Sequence, residues 1–223
     1  ILSSPDGQYA ANQEKAISQC SEALPLPNSE NKLLETPNQG SVDQLCKANG
    51  FDSSQVIKVL AMLAQLEDKK SQPVLISIRG DQEINEVKLI NVLSNELGKG
   101  VLQIRPITSN DLASQGLQAW PFGFLGPDLE DNLLNDAKSW ERNFLRLSDF
   151  SAANLENFVC GSNQKDTHRI GVNWLNLGGV PKAKDLRKAR EGEASLHNKH
   201  QLLQAHRGIE VGHIFRLGRK YST

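Results

Sequence analysis

Short apolar segments of strand length alternate with short helical segments through the middle of the chain, and this alternation constrains the fold most. Val74–Ile78 and Val101–Arg105 are predicted strands, because each is a brief apolar or branched run with turn residues before it. Val56–Leu66 is also strongly apolar, and its periodicity leaves helix and strand open. Ile170, Val172 and Trp174 alternate with other residues and predict a further strand that runs through Trp174.

Three helices are predicted between these strands. Ser41, with Gln44 three residues later, has the pattern of a capping box, and a helix that begins there can end at Gly50. Asn85–Leu93 and Ser109–Gln115 are two further short helices. Strands interleaved with short helices indicate a mixed α/β or α+β domain.

Composition limits the function classes. The 223 residues suffice for one large domain, and a net charge of -1 provides no global basic field for nucleic acid, so an RNA contact requires a local patch. The three cysteines lack a CxxC pattern, which suits a reducing cytosol and a cytoplasmic location. No apolar run approaches the length of a membrane span. A first residue of Ile1 without Met suggests a piece of a longer protein.

Two segments are candidate sites on their residues alone. The loop Gly123–Pro127 follows Trp120 and Phe122, and its glycines would let backbone N–H groups approach a ligand, although an ordinary turn explains the loop as well. Arg79–Lys88 places several charges where a strand meets a helix, which is a common position for a site and also for solvated turn residues. His197 and His200 have no carboxylate or thiolate partners arranged for a metal site.

The segment RGDQEINEVK resembles the RGDHELNEVK segment of the editing domains of bacterial-type prolyl-tRNA synthetases, which belong to one family with the trans-editing deacylases. Further resemblances follow in the family's order: the GxxxP loop, the SDF segment, the HxxGINW segment and the D-[IL]-R segment, which are here Gly123–Pro127, Ser148–Phe150, His168–Trp174 and Asp185–Arg187. The flanks around Tyr9–Ala16 and Gly208–Ser222 resemble pieces of the synthetase catalytic core.

The resemblance implies an α+β fold with a mixed, largely antiparallel, barrel-like sheet and surrounding helices. It also implies a division of the chain into a stub of the catalytic core, a linker, the editing insertion, a second linker and a return strand of the core, at 1–24, 25–34, 35–192, 193–206 and 207–223.

The implied activity is hydrolysis of mischarged alanyl-tRNA(Pro), with the aminoacylated 3′ end of tRNA(Pro) as partner and no contact with a membrane. No cofactor is implied for the editing domain. The parent enzyme would join proline to its tRNA as a homodimer, using ATP and Mg bound outside this chain. The alternative is a catalytically degenerate insertion with a structural or tRNA-binding role in the synthetase.

The resemblance also assigns residues to the site. Lys88 would hold the terminal nucleotide, His168 would shape the pocket for the alanine methyl group, and Asp185 would be a site aspartate. Glu141 stands where the family usually has aspartate. The substrate-binding loop consists of Gly123, Phe124, Leu125, Gly126 and Pro127, whose N–H groups would face the ester carbonyl and the terminal adenosine.

Two segments depart from the family's pattern. The family's KTxKT is here Gln55-Val56-Ile57-Lys58-Val59, so valine replaces both threonines and two hydroxyl groups are missing. The family's WDRD is here Trp174-Leu175-Asn176-Leu177, which lacks the two acids. These departures bear on the activity more than on the fold, and they motivate the degenerate alternative.

Overall fold

The computed structural model describes residues 1–27 and 30–206. The strands are β1 (Leu2–Ser3), β2 (Ala10–Ala11), β3 (Ser18–Gln19), β4 (Lys32–Glu35), β5 (Val56–Leu66), β6 (Ser71–Arg79), β7 (Val101–Pro106), β8 (Leu145–Asp149), β9 (Phe158–Gly161), β10 (Thr167–Val172), β11 (Lys182–Lys184), β12 (Ala194–Ser195) and β13 (Gln204–Ala205). The helices are α1 (Val42–Asn49), α2 (Glu86–Leu97), α3 (Ser109–Gln115) and α4 (Phe150–Ala153), and 3-10 turns occur at Ser53–Gln55, Asp131–Leu134 and Trp174–Leu177.

An eight-stranded mixed sheet forms the centre of the fold. Its order is β11-β8-β6-β5-β9-β10-β4, and β7 also pairs with β5. The pairs β5–β6, β5–β7, β9–β10 and β10–β4 are antiparallel, whereas β11–β8, β8–β6 and β5–β9 are parallel. The antiparallel ladders include the longest one, between β5 and β6, so the predicted α+β class with a mixed, largely antiparallel sheet is confirmed.

The open question about Val56–Leu66 is answered by its neighbours in the sheet. This segment is strand β5, which pairs with β6 on one side and with β9 and β7 on the other. A strand in the interior of a sheet that is covered on both faces has apolar residues at nearly every position. The periodicity of Val56–Leu66 therefore did not distinguish a strand from a helix.

The three predicted helices are confirmed by their caps. Ser41 and Gln44 form the capping box of α1, and Gly50 ends it with a left-handed φ of 72°. The Asn85 side chain caps α2. The strand predicted to continue through Trp174 was wrong at its end: β10 stops at Val172, because the next residue begins a 3-10 turn.

Two apolar layers pack on the faces of the sheet, and β6 supplies side chains to both by alternation. Leu75 joins the layer that contains α3 and the 120–144 segment. Val74 and Ile76 join the opposite layer, in which Leu89 and Leu93 of α2 are fully buried. Helix α2 is therefore held tightly against the sheet, and its N-terminus has a fixed position.

A small module joins the N-terminal segment to residues 189–206. Strand β1 pairs with β2 and β13, β3 pairs with β12, and Leu2, Ala16, Ala189 and Leu203 are buried together. The range predicted as a linker at 193–206 thus contains two short strands, while the return strand predicted at 207–223 lies outside the described residues. Within the described ranges, no helix combines the length and apolarity that crossing a membrane requires.

Candidate functional site

A cavity of about 260 Å³ opens where three strands, the start of one helix and one loop meet. The strands are β5, β9 and β10, the helix is α1, and the loop is Gly123–Pro127. Register brings distant residues together here, since His168 on β10 lies opposite Gly161 on β9 and opposite Leu34 on β4. The apolar part of the wall consists of Val42, Leu45, Val56, Ile57, Val59, Leu60 and Leu125.

His168 lines this cavity with a fixed and neutral ring. Its Nδ1 lies 2.6 Å from the hydroxyl of Thr36, the residue that follows β4, and Thr36 is fully buried. The ring of Phe124 packs against it at 5.2 Å between centroids. Burial lowers the pKa of His168 to about 4, so the imidazole is uncharged at neutral pH. With Nδ1 engaged by Thr36, Nε2 is the ring nitrogen left for a ligand.

We expect His168 to make the protein less stable in mild acid. Because its folded pKa of about 4 lies below the ordinary 6.5, the unfolded chain takes up a proton first as the pH falls. The stabilisation is complete above pH 6.5 and is lost between 6.5 and 4, and at pH 5 the loss is about 2 kcal/mol. Urea unfolding at pH 7.5 and pH 5 measures it. His168→Gln should flatten this dependence, whereas His200→Gln at an exposed position should leave it unchanged.

The glycine loop lies so close to β9 and to Gly40, which precedes α1, that no side chain fits at Gly123 or at Gly161. Gly123 has φ of 89°, and a Cβ there would meet the backbone of Gly40 at 2.7 to 3.2 Å. A Cβ on Gly161 would overlap the carbonyl groups of Phe124 and Leu125. The side chain of Arg169 on β10 pairs with Asp128, just after the loop, at 2.9 Å. The loop is therefore fixed at both ends over the cavity.

Some backbone N–H groups of the loop donate hydrogen bonds within the protein, and others have no acceptor among the described residues. Gly126 donates to the Asn163 side chain at 2.6 Å, and Phe124 donates to the Pro121 carbonyl at 2.9 Å. The N–H groups of Gly123 and Leu125 have no acceptor among the described residues, and both residues line the cavity. Two unpaired donors at a cavity wall are suited to a carbonyl oxygen that gains negative charge.

Lys58 is the cavity residue that the family resemblance did not assign a role. It lies on β5, and its ammonium donates to the carbonyls of Gly80 at 3.0 Å and Gln82 at 2.6 Å. Burial lowers the pKa of Lys58, against the opposing effect of Asp81 and Glu83. Two of its three protons are used, which leaves one for an anionic or carbonyl oxygen. The sequence did contain an indication of this role, because Lys58 matches the second lysine of the family's KTxKT segment although both threonines are replaced.

The other predicted site residues lie elsewhere. The Lys88 ammonium contacts Asp185 at 2.7 Å and the carbonyls of Ala16 and Arg187, and neither Lys88 nor Asp185 lines the cavity of His168. Glu141 contacts Lys70 at 3.3 Å in an exposed pair. The structure thus brings His168 together with the glycine loop, and Lys88 together with Asp185, in two separate places. The roles predicted for Lys88, Asp185 and Glu141 stay predictions.

Two of the segments that resemble the family, Ser148–Phe150 and Asp185–Arg187, are joined by hydrogen bonds of Asp149. Asp149, in Ser148–Phe150, is buried and caps α4 through the N–H of Ser151. Its second oxygen accepts the N–H groups of Leu186 and Arg187 at 2.8 and 3.1 Å. The acid in the first segment therefore fixes the backbone of the second.

Comparisons with known proteins identify similar sequences. Residues 36–127 match the model of the aminoacyl-tRNA editing domain. The whole chain is 59% identical over 222 residues to a proline–tRNA ligase of Prochlorococcus marinus (strain MIT 9313), and 54% identical to one of Synechococcus sp. (strain CC9902). It spans 37% of the length of these relatives.

A solved structure described as a putative trans-editing enzyme for prolyl tRNA synthetase is similar to 71% of this chain and 87% of its own length, with a TM-score of 0.48 and 14% identity. The chain is thus similar to a segment of the proline–tRNA ligases, and its residues 36–127 match the aminoacyl-tRNA editing domain.

Proposed function

We propose that the His168 cavity hydrolyses the ester bond of mischarged alanyl-tRNA(Pro), in cis within a parent protein that joins proline to tRNA(Pro) with ATP. The observation that carries this proposal is the cavity itself. It combines a neutral histidine with a lysine proton and two backbone N–H groups that have no acceptor in the described ranges, in a chain whose residues 36–127 match the aminoacyl-tRNA editing domain. ATP and Mg would be bound outside this chain, in a cytoplasmic homodimer.

The chemistry assigned to the cavity is attack by water on the ester carbonyl. The water oxygen bonds to the carbonyl carbon, and the carbonyl oxygen becomes negatively charged. The carbonyl double bond then re-forms as the bond to the ribose oxygen breaks, and the ribose oxygen takes the proton that the water gives up, so the products are alanine and a free ribose hydroxyl. The N–H groups of Gly123 and Leu125 would stabilise the negative oxygen, and one such donor contributes about 100-fold or more in rate. The vicinal ribose hydroxyl would assist the attacking water.

Lys58 and His168 would hold the two ends of the substrate. The Lys58 ammonium is suited to a phosphate oxygen of the terminal nucleotide, because it is the charged side chain among the described residues that line the cavity. His168 is neutral, so its ring would pack against the alanine methyl group without attracting an anion. In this proposal Lys58 takes the nucleotide-holding role that the resemblance assigned to Lys88.

A separate editing site answers a problem of size. Alanine is smaller than proline and cannot be excluded from a proline pocket, and a few missing methylene groups give only about 1–3 kcal/mol of discrimination. In this proposal the branched aliphatic wall beside His168 reverses the selection. It would admit the methyl group beside His168 and reject the proline ring.

The residues that line the His168 cavity also support the alternative of a catalytically degenerate insertion. Val56 and Val59 line the cavity, so the hydroxyl groups that threonines would supply are missing at the reacting end. Leu175 carries less weight, since it is 91% exposed and does not line the cavity. An insertion that binds tRNA or supports the synthetase without hydrolysis would retain the fold and lose the reaction.

One assay separates the two functions. Alanyl-tRNA(Pro) and prolyl-tRNA(Pro) are prepared separately, and the complete protein is added to each. We expect alanine to be released about 100-fold faster than proline, because the proposed pocket beside His168 accepts a methyl group and rejects the larger ring. Release of neither amino acid above the uncatalysed rate, with tRNA still bound, would favour the degenerate alternative.

A further inference from the structure

Six side chains hold residues 13–27, here called the connector, against the editing domain by its backbone carbonyls. The donors and their acceptors are Asn85 to Gln13 and Glu14, Lys88 to Ala16, Arg187 to Ser18, Arg79 to Ser21, Gln55 to Pro25 and Asn157 to Leu26, at 2.7 to 3.2 Å. Each of these bonds uses a peptide carbonyl of the connector, and the Ser18 hydroxyl adds a bond to Glu193 and one from Arg187.

Three of these donors are almost completely buried, so each of them needs an acceptor. Arg79, Asn85 and Arg187 are 3%, 5% and 4% exposed. A buried donor without an acceptor is costly, so release of the connector would leave several groups unsatisfied at once. The Lys88 ammonium has three donors and makes three bonds, to Ala16, Asp185 and Arg187. It can meet a phosphate only by giving up one of them.

The same donors also hold the chain that leaves the editing domain. Lys88 contacts Asp185 and the Arg187 carbonyl, and Arg187 pairs with Glu193 at 2.8 Å. Strand β3 of the connector pairs with β12, which follows Glu193. The incoming and outgoing segments therefore meet at the N-terminus of α2, whose position in the core is fixed by Leu89 and Leu93.

We propose that Asn85, Lys88 and Arg187 form a latch that sets the orientation of the editing cavity relative to the rest of the parent protein. The proposal rests on the proposed function, in which a mischarged 3′ end moves from the ligase site to the cavity. These are positioning residues, and they do not touch the substrate. A loosened latch would slow that transfer within one protein, while a mischarged tRNA that arrives from solution would still reach the cavity.

The variant that tests the latch most specifically is Asn85→Asp. Its carboxylate still caps α2 by accepting the Lys88 N–H, but it replaces the Nδ2 donor with an oxygen that repels the Gln13 and Glu14 carbonyls. The matched control is Asn135→Asp on the exposed surface. In the complete protein we expect the amides of residues 13–21 to exchange hydrogen at least about 10-fold faster in Asn85→Asp, and at the wild-type rate in the control. Unchanged exchange in Asn85→Asp overturns the latch.

Two editing assays test the positioning role. Asn85→Asp should release alanine from added alanyl-tRNA(Pro) within about 2-fold of the wild-type rate, yet accumulate several-fold more alanyl-tRNA(Pro) when it charges the tRNA with alanine itself. Equal accumulation in variant and wild type overturns the proposal. If Asn85→Asp fails to fold, Arg187→Met with Glu193→Gln removes both charges of a buried pair and gives the same readouts. The exchange measurement does not depend on editing activity. If the proposed function is wrong, the wild-type protein itself releases no alanine, and this result is distinguishable from a failure of the latch.

Discussion

Replacement of Lys58 by methionine in the complete protein is expected to slow the release of alanine from alanyl-tRNA(Pro) by about 100-fold or more. The reason is that Lys58 is the charged side chain that the described residues contribute to the cavity wall, and its ammonium has one proton left for the substrate. If that proton meets a phosphate oxygen of the substrate, much of the loss should appear as a raised KM that depends on salt.

The matched control is Lys47→Met. Lys47 is an exposed lysine in an i,i+4 pair with Asp43, so its loss should change the rate by less than about 2-fold. Lys58→Met also leaves the Gly80 and Gln82 carbonyls without a partner, and thermal unfolding shows whether the variant is folded. A folded Lys58→Met protein with the wild-type rate would remove Lys58 from the site.

The second large effect is expected for Gly161→Ala. The added methyl group would overlap the carbonyls of Phe124 and Leu125, so the glycine loop must move away from β9. The N–H groups of Gly123 and Leu125 would then leave their positions, and we expect alanine release to fall about 100-fold. Overpacking of this kind also costs about 1–3 kcal/mol in the free energy of unfolding, which urea titration measures.

Gly100→Ala is the comparison for Gly161→Ala. A Cβ at Gly100 meets only the carboxylate end of Glu67, a flexible side chain that can turn away. Its stability and its rate of alanine release should stay close to those of the wild type. A Gly161→Ala protein that hydrolyses as fast as Gly100→Ala would show that the glycine loop does not take part in the reaction.

Local features of this chain were predictable, because their causes are local. The capping box of Ser41 and the left-handed Gly50 define α1 from within a few residues, and the same holds for α2 and α3. Strand β5 was ambiguous because its apolar pattern arises from neighbours on both sides of the sheet. Only the strand pairing identifies it.

The site was harder to predict than the fold. His168 and the glycine loop were identified through a family resemblance, and the register of β9 and β10 explains why they meet. Lys58 was not predicted as a site residue, because it comes near His168 only when β5 pairs with β9. That pairing cannot be inferred from the sequence around Lys58. Lys88 stands in the most recognisable segment, yet its ammonium contacts the connector and Asp185, through bonds that only the folded chain creates.

The location of the bound substrate is tested directly by the structure of the complete protein with a non-hydrolysable analogue of alanylated adenosine 5′-phosphate, in which an amide replaces the ester. We predict that the analogue occupies the His168 cavity. Its carbonyl should lie within hydrogen-bond distance of the Gly123 and Leu125 N–H groups, with the methyl group against His168 and the phosphate at Lys58. An analogue bound at the Lys88–Asp185 pair, with the His168 cavity unoccupied, would contradict the account.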